Sequence, residues 1–257
     1  MSDSNGRFVW YELMTTDVEA AKAFYGKVVG WSVTEMPMPG VEGMKYAMFG
    51  MGEKPQHGLM ALPEEARKMG APPHWMAYVE VPDVDAGAEK VKRLGGQVFV
   101  PPMDIPNVGR FSTVADPTDA AISLFHSANP QQDAPPAMGE PGRVGWNELH
   151  TKGWEKAFAF YAEIFGWKKH DAMDMGPMGT YQLFGLDQAF GGMFDSPAPA
   201  TFWLYYFNVG NIDDAARRVT DAGGQILHGP VEVPGGGWIV QCMDPQGAGF
   251  ALLGNKG

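Results

Sequence analysis

The sequence is poor in cysteine, in basic residues and in long apolar runs. Cys242 is the single cysteine, which excludes an intramolecular disulfide and suits a reducing compartment. Acidic residues outnumber basic ones, 30 to 19, and the net charge of −11 argues against a nucleic-acid binder or a protein that docks on anionic membrane. No apolar run approaches the ~18 residues of a membrane span, and no apolar signal segment opens the chain. We therefore expect a cytoplasmic protein.

Several common functional motifs are also missing from the sequence. It contains no G-x-G-x-x-G fingerprint, no phosphate-binding P-loop, no G-x-S-x-G nucleophile elbow and no C-x-x-C pair. Motif-based support is therefore lacking for nucleotide hydrolysis, dinucleotide redox chemistry and serine esterase chemistry.

An internal repeat is the main feature that is present. Residues 6–31, GRFVWYELMTTDVEAAKAFYGKVVGW, match residues 142–167, GRVGWNELHTKGWEKAFAFYAEIFGW, at a constant offset of 136, and residues 74–98 match residues 202–226 at an offset of 128. A stretch rich in Pro, Gln and Ala separates the two copies and has no apolar period. We predict an N-terminal domain over residues 1–127, a linker over 128–141 and a C-terminal domain over 142–257.

Each half contains the pattern β-α-β-β-β twice. In the first half, one apolar helical face follows the strand FVWYELMT, and Thr16 with Glu19 predicts a capping box at the start of that helix. A second helix is predicted over residues 84–94, with Gly95 as its stop signal. Long crossovers between all strands are missing, so a doubly wound or (β/α)₈ fold is disfavoured and an α+β fold is predicted.

These motifs resemble the vicinal oxygen chelate superfamily, which includes glyoxalase I, bleomycin-resistance proteins and extradiol dioxygenases. The resemblance rests on TTDVEAAKAFYGKVVGW and KGWEKAFAFYAEIFGW, on VPDVDAGAEKVKRLGGQV and VGNIDDAARRVTDAGGQI, and on the closing strands ADPTDAAISLF and MDPQGAGFALL. It covers nearly the whole chain. It implies four βαβββ modules that pair into two tandem half-barrel domains, and it implies little about the reaction because site chemistry differs across the superfamily.

The resemblance also shows where metal ligands would stand. Metal-dependent members place a His in the first strand of a module and a Glu in the last. Nitrogen and carboxylate ligands of this kind suit divalent transition metals. The matching positions here hold poor ligands, namely Trp10, Met76 and Ser123 in the first half and Trp146, Leu204 and Ala251 in the second. We therefore predict no cofactor. The alternative is a divalent metal at a shifted site built from Glu12, His74 and Glu80.

The repeated W-x-E-L motif supplies the first candidate site residues. Glu12 and Glu148 are candidate catalytic bases, with a structural role in tying strands together as the alternative. Arg110 is a candidate anion contact, with a surface ion pair as its alternative. The residues predicted to contact a ligand are Trp10, Met14, His74, Met76, Tyr78, Arg110, Ser123, Trp146, His150 and Tyr206.

Three functions stay open at this stage. The leading one is a protein with an apolar-aromatic cavity that binds or sequesters a small organic molecule, or acts as a metal-free enzyme through Glu12. The alternatives are a metal-dependent lyase or dioxygenase with the shifted site, and a scaffold whose degenerate cavities are filled by Met and aromatic side chains. The missing ligands argue against glyoxalase I activity.

Overall fold

A computed structural model describes residues 4–37, 45–52, 54–129 and 139–257 of the chain. The predicted linker therefore falls largely outside the described residues. The helices and strands are β1 Phe8–Thr15, α1 Val18–Val28, β2 Ser32–Pro37, β3 Lys45–Met51, β4 Lys54–Ala61, α2 Glu64–Lys68, β5 His74–Glu80, α3 Val84–Arg93, β6 Gln97–Ile105, β7 Gly109–Ala115, β8 Ala121–Ser127, β9 Val144–Thr151, α4 Trp154–Phe165, β10 Lys168–Asp174, β11 Thr180–Gly185, β12 Ala189–Asp195, β13 Phe202–Asn211, α5 Ile212–Asp221, β14 Gln225–Glu232, β15 Trp238–Met243 and β16 Gly249–Asn255.

The strands confirm the α+β fold with four βαβββ modules. The first half forms an eight-stranded sheet in the order β2-β3-β4-β1-β5-β8-β7-β6, and the second repeats it as β10-β11-β12-β9-β13-β16-β15-β14. Within each module the outer strands pair antiparallel, whereas the first strand pairs parallel with the last, as β1 does with β4 and β9 with β12. No helix in the described part of the chain is long and apolar enough to cross a membrane.

The helix starts follow the sequence, with one correction. Helix α1 is capped by Asp17, whose Oδ1 accepts from the Ala20 backbone N–H at 3.0 Å, so the predicted Thr16 cap is wrong by one residue. An Asp at this position satisfies one of the N–H groups that a helix start leaves unpaired. Helix α4 has no such side chain at its own start, and the carboxylate of Asp195 at the end of β12 accepts from the Trp154 N–H instead.

The described residues divide into two compact units that draw on both halves of the sequence. Unit 1 contains residues 4–10, 76–129 and 146–203, and unit 2 contains residues 11–37, 45–52, 54–75, 139–145 and 204–257. The hydrogen bonds of each sheet therefore join strands of one sequence half, whereas each compact unit contains residues of both halves.

Unit 2 is organised around a buried chain of three polar side chains. The Trp75 indole N–H donates to the Tyr25 hydroxyl at 3.0 Å, and this hydroxyl donates to Asp244 Oδ2 at 3.1 Å. Burial raises the pKa of Tyr25 well above 10, and burial also raises the pKa of Asp244. The F-Y motif of the first helix and the D-P motif of the last strand pair are thus explained by one structural contact.

Unit 1 repeats this chain with the matching residues. The Trp203 indole donates to the Tyr161 hydroxyl at 3.2 Å, and Tyr161 hydrogen-bonds to Asp116. Asp116 also accepts from the backbone N–H groups of Thr118 and Ala120, and burial raises its pKa. Trp75 and Trp203 therefore face the helices, as the strand alternation predicts.

His57 belongs to the scaffold of unit 2. It is 1% exposed, and its Nε2–H donates to the Gly142 carbonyl at 2.8 Å. The Trp31 indole N–H donates to the same carbonyl, and the rings of Trp31, Tyr11 and Phe207 surround the imidazole. Burial lowers the pKa of His57 to about 3 because the charged form loses its hydration.

The lowered pKa of His57 predicts a loss of stability on acidification. The unfolded chain protonates this His near its ordinary pKa of about 6.5, whereas the folded chain does so only near 3, so the stabilisation is complete above pH 6.5 and falls as the pH drops toward 3. From pH 7 to pH 5 we expect the free energy of unfolding to fall by about 2 kcal/mol through this group. Urea denaturation of the wild type and His57→Gln at both pH values measures it. An equal pH dependence in the two proteins would contradict the prediction.

Candidate functional site

Glu12 lies in the middle of β1 and is 5% exposed. Its Oε1 accepts from the Tyr46 hydroxyl of β3 at 2.6 Å. Trp10 and Met14 lie two residues to either side, on the same face of the strand, and both are half-buried. In unit 2, the Glu12 carboxylate is therefore held by a phenol, and the half-buried thioether of Met14 lies on the same face of the strand.

Glu148 occupies the matching position on β9 and is 7% exposed. The Tyr181 hydroxyl donates to Glu148 Oε2 at 2.7 Å, and the Trp146 indole N–H donates to that hydroxyl at 2.8 Å. Gly192 leaves room for the phenol, because a Cβ at this position would collide with the Tyr181 ring. All four residues lie in unit 1.

In the second half, an imidazole also contacts the glutamate carboxylate. His150 Nε2 lies 2.8 Å from Glu148 Oε1, and His150 Nδ1 lies 3.0 Å from Ser196 Oγ. The Phe202 ring stacks on the imidazole at 4.4 Å, and the Phe194 ring meets it at 4.8 Å. The second half thus forms one chain of hydrogen bonds that runs from Trp146 through Tyr181, Glu148 and His150 to Ser196.

The family's metal positions do not offer a suitable donor set in this structure. Met76, Leu204 and Ala251 are buried and carry no hard donor atom, and the Trp146 indole donates its proton to Tyr181. The hydroxyl of Ser123 is buried against Thr113 Oγ1 at 3.0 Å. Among the described residues, no group of three or more His, Cys, Asp or Glu side chains is arranged to hold a metal ion. These residues do not fit the metal that the fold family implies.

The three side chains of the shifted site each hydrogen-bond to other groups. His74 is half-buried and donates from Nδ1 to the Pro72 carbonyl at 2.7 Å, and burial lowers its pKa. Glu80 is 2% exposed, and its Oε1 lies 2.9 Å from Nδ1 of His126. Glu12 accepts from Tyr46, as described above. The structure does not gather the three into a metal-binding group.

The remaining predicted contacts have different surroundings. Arg110 is a surface ion-pair residue, because its guanidinium contacts Asp85 through two hydrogen bonds and Asp104 through a third. The Tyr206 hydroxyl, in unit 2, accepts from Gln241 Nε2 at 2.8 Å. Tyr78, in unit 1, is buried against the rings of Phe111 and Phe125.

Sequence reasoning missed three residues of the site. Tyr46 and Tyr181 stand in the matching segments Y-A-M-F-G and Y-Q-L-F-G, so the repeat itself contained a signal for them. Ser196 had no such signal, since its counterpart in the first half is Leu62. The equivalence is visible in the backbone, where the N–H of Leu62 donates to the Thr15 carbonyl and the N–H of Ser196 donates to that of Thr151.

Comparison with known proteins shows the family to which this chain belongs. The family model of the Glyoxalase/Bleomycin resistance protein/Dioxygenase superfamily matches residues 7–135 and 143–252. A putative glyoxylase, CFP32 of Mycobacterium tuberculosis (strain CDC 1551 / Oshkosh), is 37% identical over 247 residues, which cover 95% of this chain and 93% of the relative. The anthracycline biosynthesis protein DnrV of Streptomyces peucetius is 29% identical over 271 residues, with 96% and 93% covered.

Solved structures show the same fold at low sequence identity. The Mn(II)-bound glyoxalase from Novosphingobium aromaticivorans is similar with a TM-score of 0.64 at 17% identity, covering 99% of this chain and 83% of that one. Homoprotocatechuate 2,3-dioxygenase from Brevibacterium fuscum is similar with a TM-score of 0.66 at 14% identity, covering 98% and 81%. With four βαβββ modules and two matches to the family model, this chain belongs to the Glyoxalase/Bleomycin resistance protein/Dioxygenase superfamily.

Proposed function

We propose that the protein binds a hydroxylated aromatic organic molecule, without a metal ion at the family's usual positions. The observation that carries this proposal is the carboxylate–tyrosine pair of each half, Glu12 with Tyr46 and Glu148 with Tyr181. Each oxygen of a carboxylate can accept two hydrogen bonds, so a ligand hydroxyl can bind to Glu12 in addition to Tyr46, and to Glu148 in addition to Tyr181 and His150. Charge-assisted bonds of this kind are stronger than neutral ones.

The surroundings of both carboxylates suit an aromatic ligand. Trp146 stands two residues before Glu148 and is half-buried, so β9 offers an indole beside its carboxylate. On β1, the half-buried Met14 stands two residues after Glu12 and offers an apolar thioether. The names of related proteins point the same way, since DnrV and DauV are anthracycline biosynthesis proteins, and anthracyclines are polycyclic aromatics with phenolic hydroxyls. We therefore propose that the ligand is a hydroxylated polycyclic aromatic compound.

Metal-free proton transfer is the second candidate function. Tyr46 holds Glu12 and Tyr181 holds Glu148 through hydrogen bonds of 2.6 and 2.7 Å, and a carboxylate fixed in this way is a positioned proton acceptor. The same two glutamates serve both functions, so ligand binding is tested first.

Calorimetric titration with 1,2-dihydroxyanthraquinone tests the binding proposal, with unsubstituted anthraquinone as the matched control. We expect two sites per chain for the hydroxylated compound, and a rise in thermal stability because the ligand binds the folded state. Glu12→Gln and Glu148→Gln should each weaken one of the two sites by about 10- to 100-fold, since a bond to a charged acceptor contributes about 1.5–3 kcal/mol.

Two results would contradict this proposal. Equal binding of both compounds, unaffected by either Gln substitution, would show that the glutamates do not recognise the hydroxyls. A stoichiometric transition metal in protein purified without a His-tag would show that the metal-free part is wrong.

A further inference from the structure

Three positions that touch each other in the second half differ together from their counterparts in the first. His150 replaces Met14, and Ser196 replaces Leu62. Lys152 replaces Thr16, and its Nζ donates to the Ser196 carbonyl at 2.6 Å. The strand register matches across the halves, because Met14 pairs with Met60 on β4 as His150 pairs with Phe194 on β12. The Glu–Tyr pair is shared by both halves, whereas the Ser–His contact exists only in the second.

The hydrogen bonds of His150 fix the direction of its protons. Glu148 Oε1 accepts the hydrogen bond from His150 Nε2, so a hydrogen stands on Nε2 and the lone pair of Nδ1 is presented to Ser196. Ser196 Oγ already accepts from the Ala198 backbone N–H at 3.2 Å, so its own hydrogen is left for Nδ1. Tyr181 occupies the other carboxylate oxygen and holds Glu148 in place.

The imidazole is also held by its neighbours. Phe202 lies nearly parallel to it, with an interplanar angle of 14°, and Phe194 meets it at 63°. Ser196 is 5% exposed, whereas Phe202 is 37% exposed. A hydroxyl within reach of a base, with the base oriented by a carboxylate and fixed by packing, is the arrangement that activates a nucleophile.

We propose that Ser196 is an activated nucleophile that accepts an acyl group from a small carboxylic ester, with His150 as the base and Glu148 as the residue that positions it. Ser196 Oγ forms a bond to the ester carbonyl carbon while its proton passes to His150 Nδ1. The ester C–O bond breaks, and the leaving alkoxide takes that proton from Nδ1. Water then attacks the acyl-serine, with His150 accepting and returning the proton, which releases the acid.

Lys152 contributes charge at this point of the structure. Its ammonium donates to the Ser196 backbone carbonyl at 2.6 Å, so it holds the backbone of the proposed nucleophile and places a positive charge in the same residue's surroundings. This activity goes beyond ligand binding by the Glu–Tyr pairs and does not depend on it.

A fluorophosphonate probe on the full-length protein tests the proposal, because such probes form an adduct with activated serines. We expect one adduct, mapped to Ser196 by peptide mass spectrometry, that is absent in Ser196→Ala. His150→Met introduces the residue of the first half and should slow labelling by about 10²- to 10⁴-fold, the usual contribution of a general base. Ser112 is also buried but donates to the Val100 carbonyl, so Ser112→Ala should label like the wild type.

A second variant tests whether the probe can reach the buried serine. Phe202→Ala removes one of the two rings that pack on His150 and opens access to Ser196, while the Glu148 carboxylate and the Phe194 ring still hold the imidazole. We therefore expect the labelling rate to rise severalfold. Absence of a Ser196 adduct in both the wild type and Phe202→Ala, with both proteins folded by circular dichroism, would overturn the proposal. An adduct that forms equally fast in His150→Met would also overturn it.

Discussion

Trp75→Ala is expected to lower the free energy of unfolding by about 3–5 kcal/mol, the usual cost of removing a buried large aromatic side chain. Trp75 is 4% exposed, and its ring centroid lies 4.7 Å from that of Phe207 and 5.4 Å from that of Tyr25. The substitution leaves a cavity among these rings. It also removes the donor to a hydroxyl that is itself bonded to the buried Asp244.

Urea denaturation followed by circular dichroism measures this loss, and Trp238→Ala is the matched control in the same unit. Trp238 is half-buried, and Nζ of Lys256 lies over its ring, 4.4 Å from the ring centroid. Trp238→Ala should lower the free energy of unfolding by only about 1 kcal/mol, as expected for a partly exposed cation–π contact. Equal losses for the two tryptophans would show that the buried Trp75–Tyr25–Asp244 chain adds nothing to stability.

Gly6→Ala is the second substitution with a large expected effect. Gly6 has a φ of 76°, and a Cβ there would collide with the backbone carbonyl of Phe165, which cannot move aside as a side chain can. The Gly6 carbonyl also accepts from the Trp167 indole at 2.6 Å, so a shift of this segment breaks a buried hydrogen bond. Backbone strain of about 1 kcal/mol and overpacking of about 1–3 kcal/mol predict a total loss of about 2–4 kcal/mol.

Gly166→Ala separates the two causes of this loss. Gly166 has a similar φ of 74° and lies in the same unit, but a Cβ there would meet no atom within 4 Å. We expect it to cost about 1 kcal/mol, the strain alone, in the same urea experiment. If Gly166→Ala costs as much as Gly6→Ala, the contact of Gly6 with Phe165 is not the cause.

The two halves of this protein share a scaffold but have diverged in their polar centres. Both keep a glutamate held by a tyrosine, whereas only the second half adds His150 and Ser196. A Trp–Tyr–Asp chain occurs in each compact unit, because matching residues of the two halves pack there in the same way. His150 and Ser196 contact each other and differ from their counterparts in the first half, so they are the basis for proposing a separate chemistry in the second half.

Motif recognition predicted the fold correctly but did not predict which side chains the candidate site residues contact. The F-Y, D-P and G-G motifs predicted four modules, and the structure has four. Glu12 and Glu148 were proposed as site residues because W-x-E-L stands in both halves, and the tyrosines that hydrogen-bond to them were not proposed although they also repeat. For Arg110 the sequence left open an anion contact or a surface ion pair, and its guanidinium lies between Asp85 and Asp104, a pairing that no local pattern encodes.

The sequence by itself determined the order of strands and helices except for the short helix α2, the starts of the predicted helices to within a residue, and the presence of a repeat. These features depend on apolar periodicity, capping residues and turns, which act between neighbours in the chain. Only the tertiary structure decided that Tyr181 meets Glu148 across 33 residues and that Ser196 meets His150 across 46. Such contacts depend on which strands pair and in which register, and a shift of one residue would turn each of these side chains to the opposite face of its sheet.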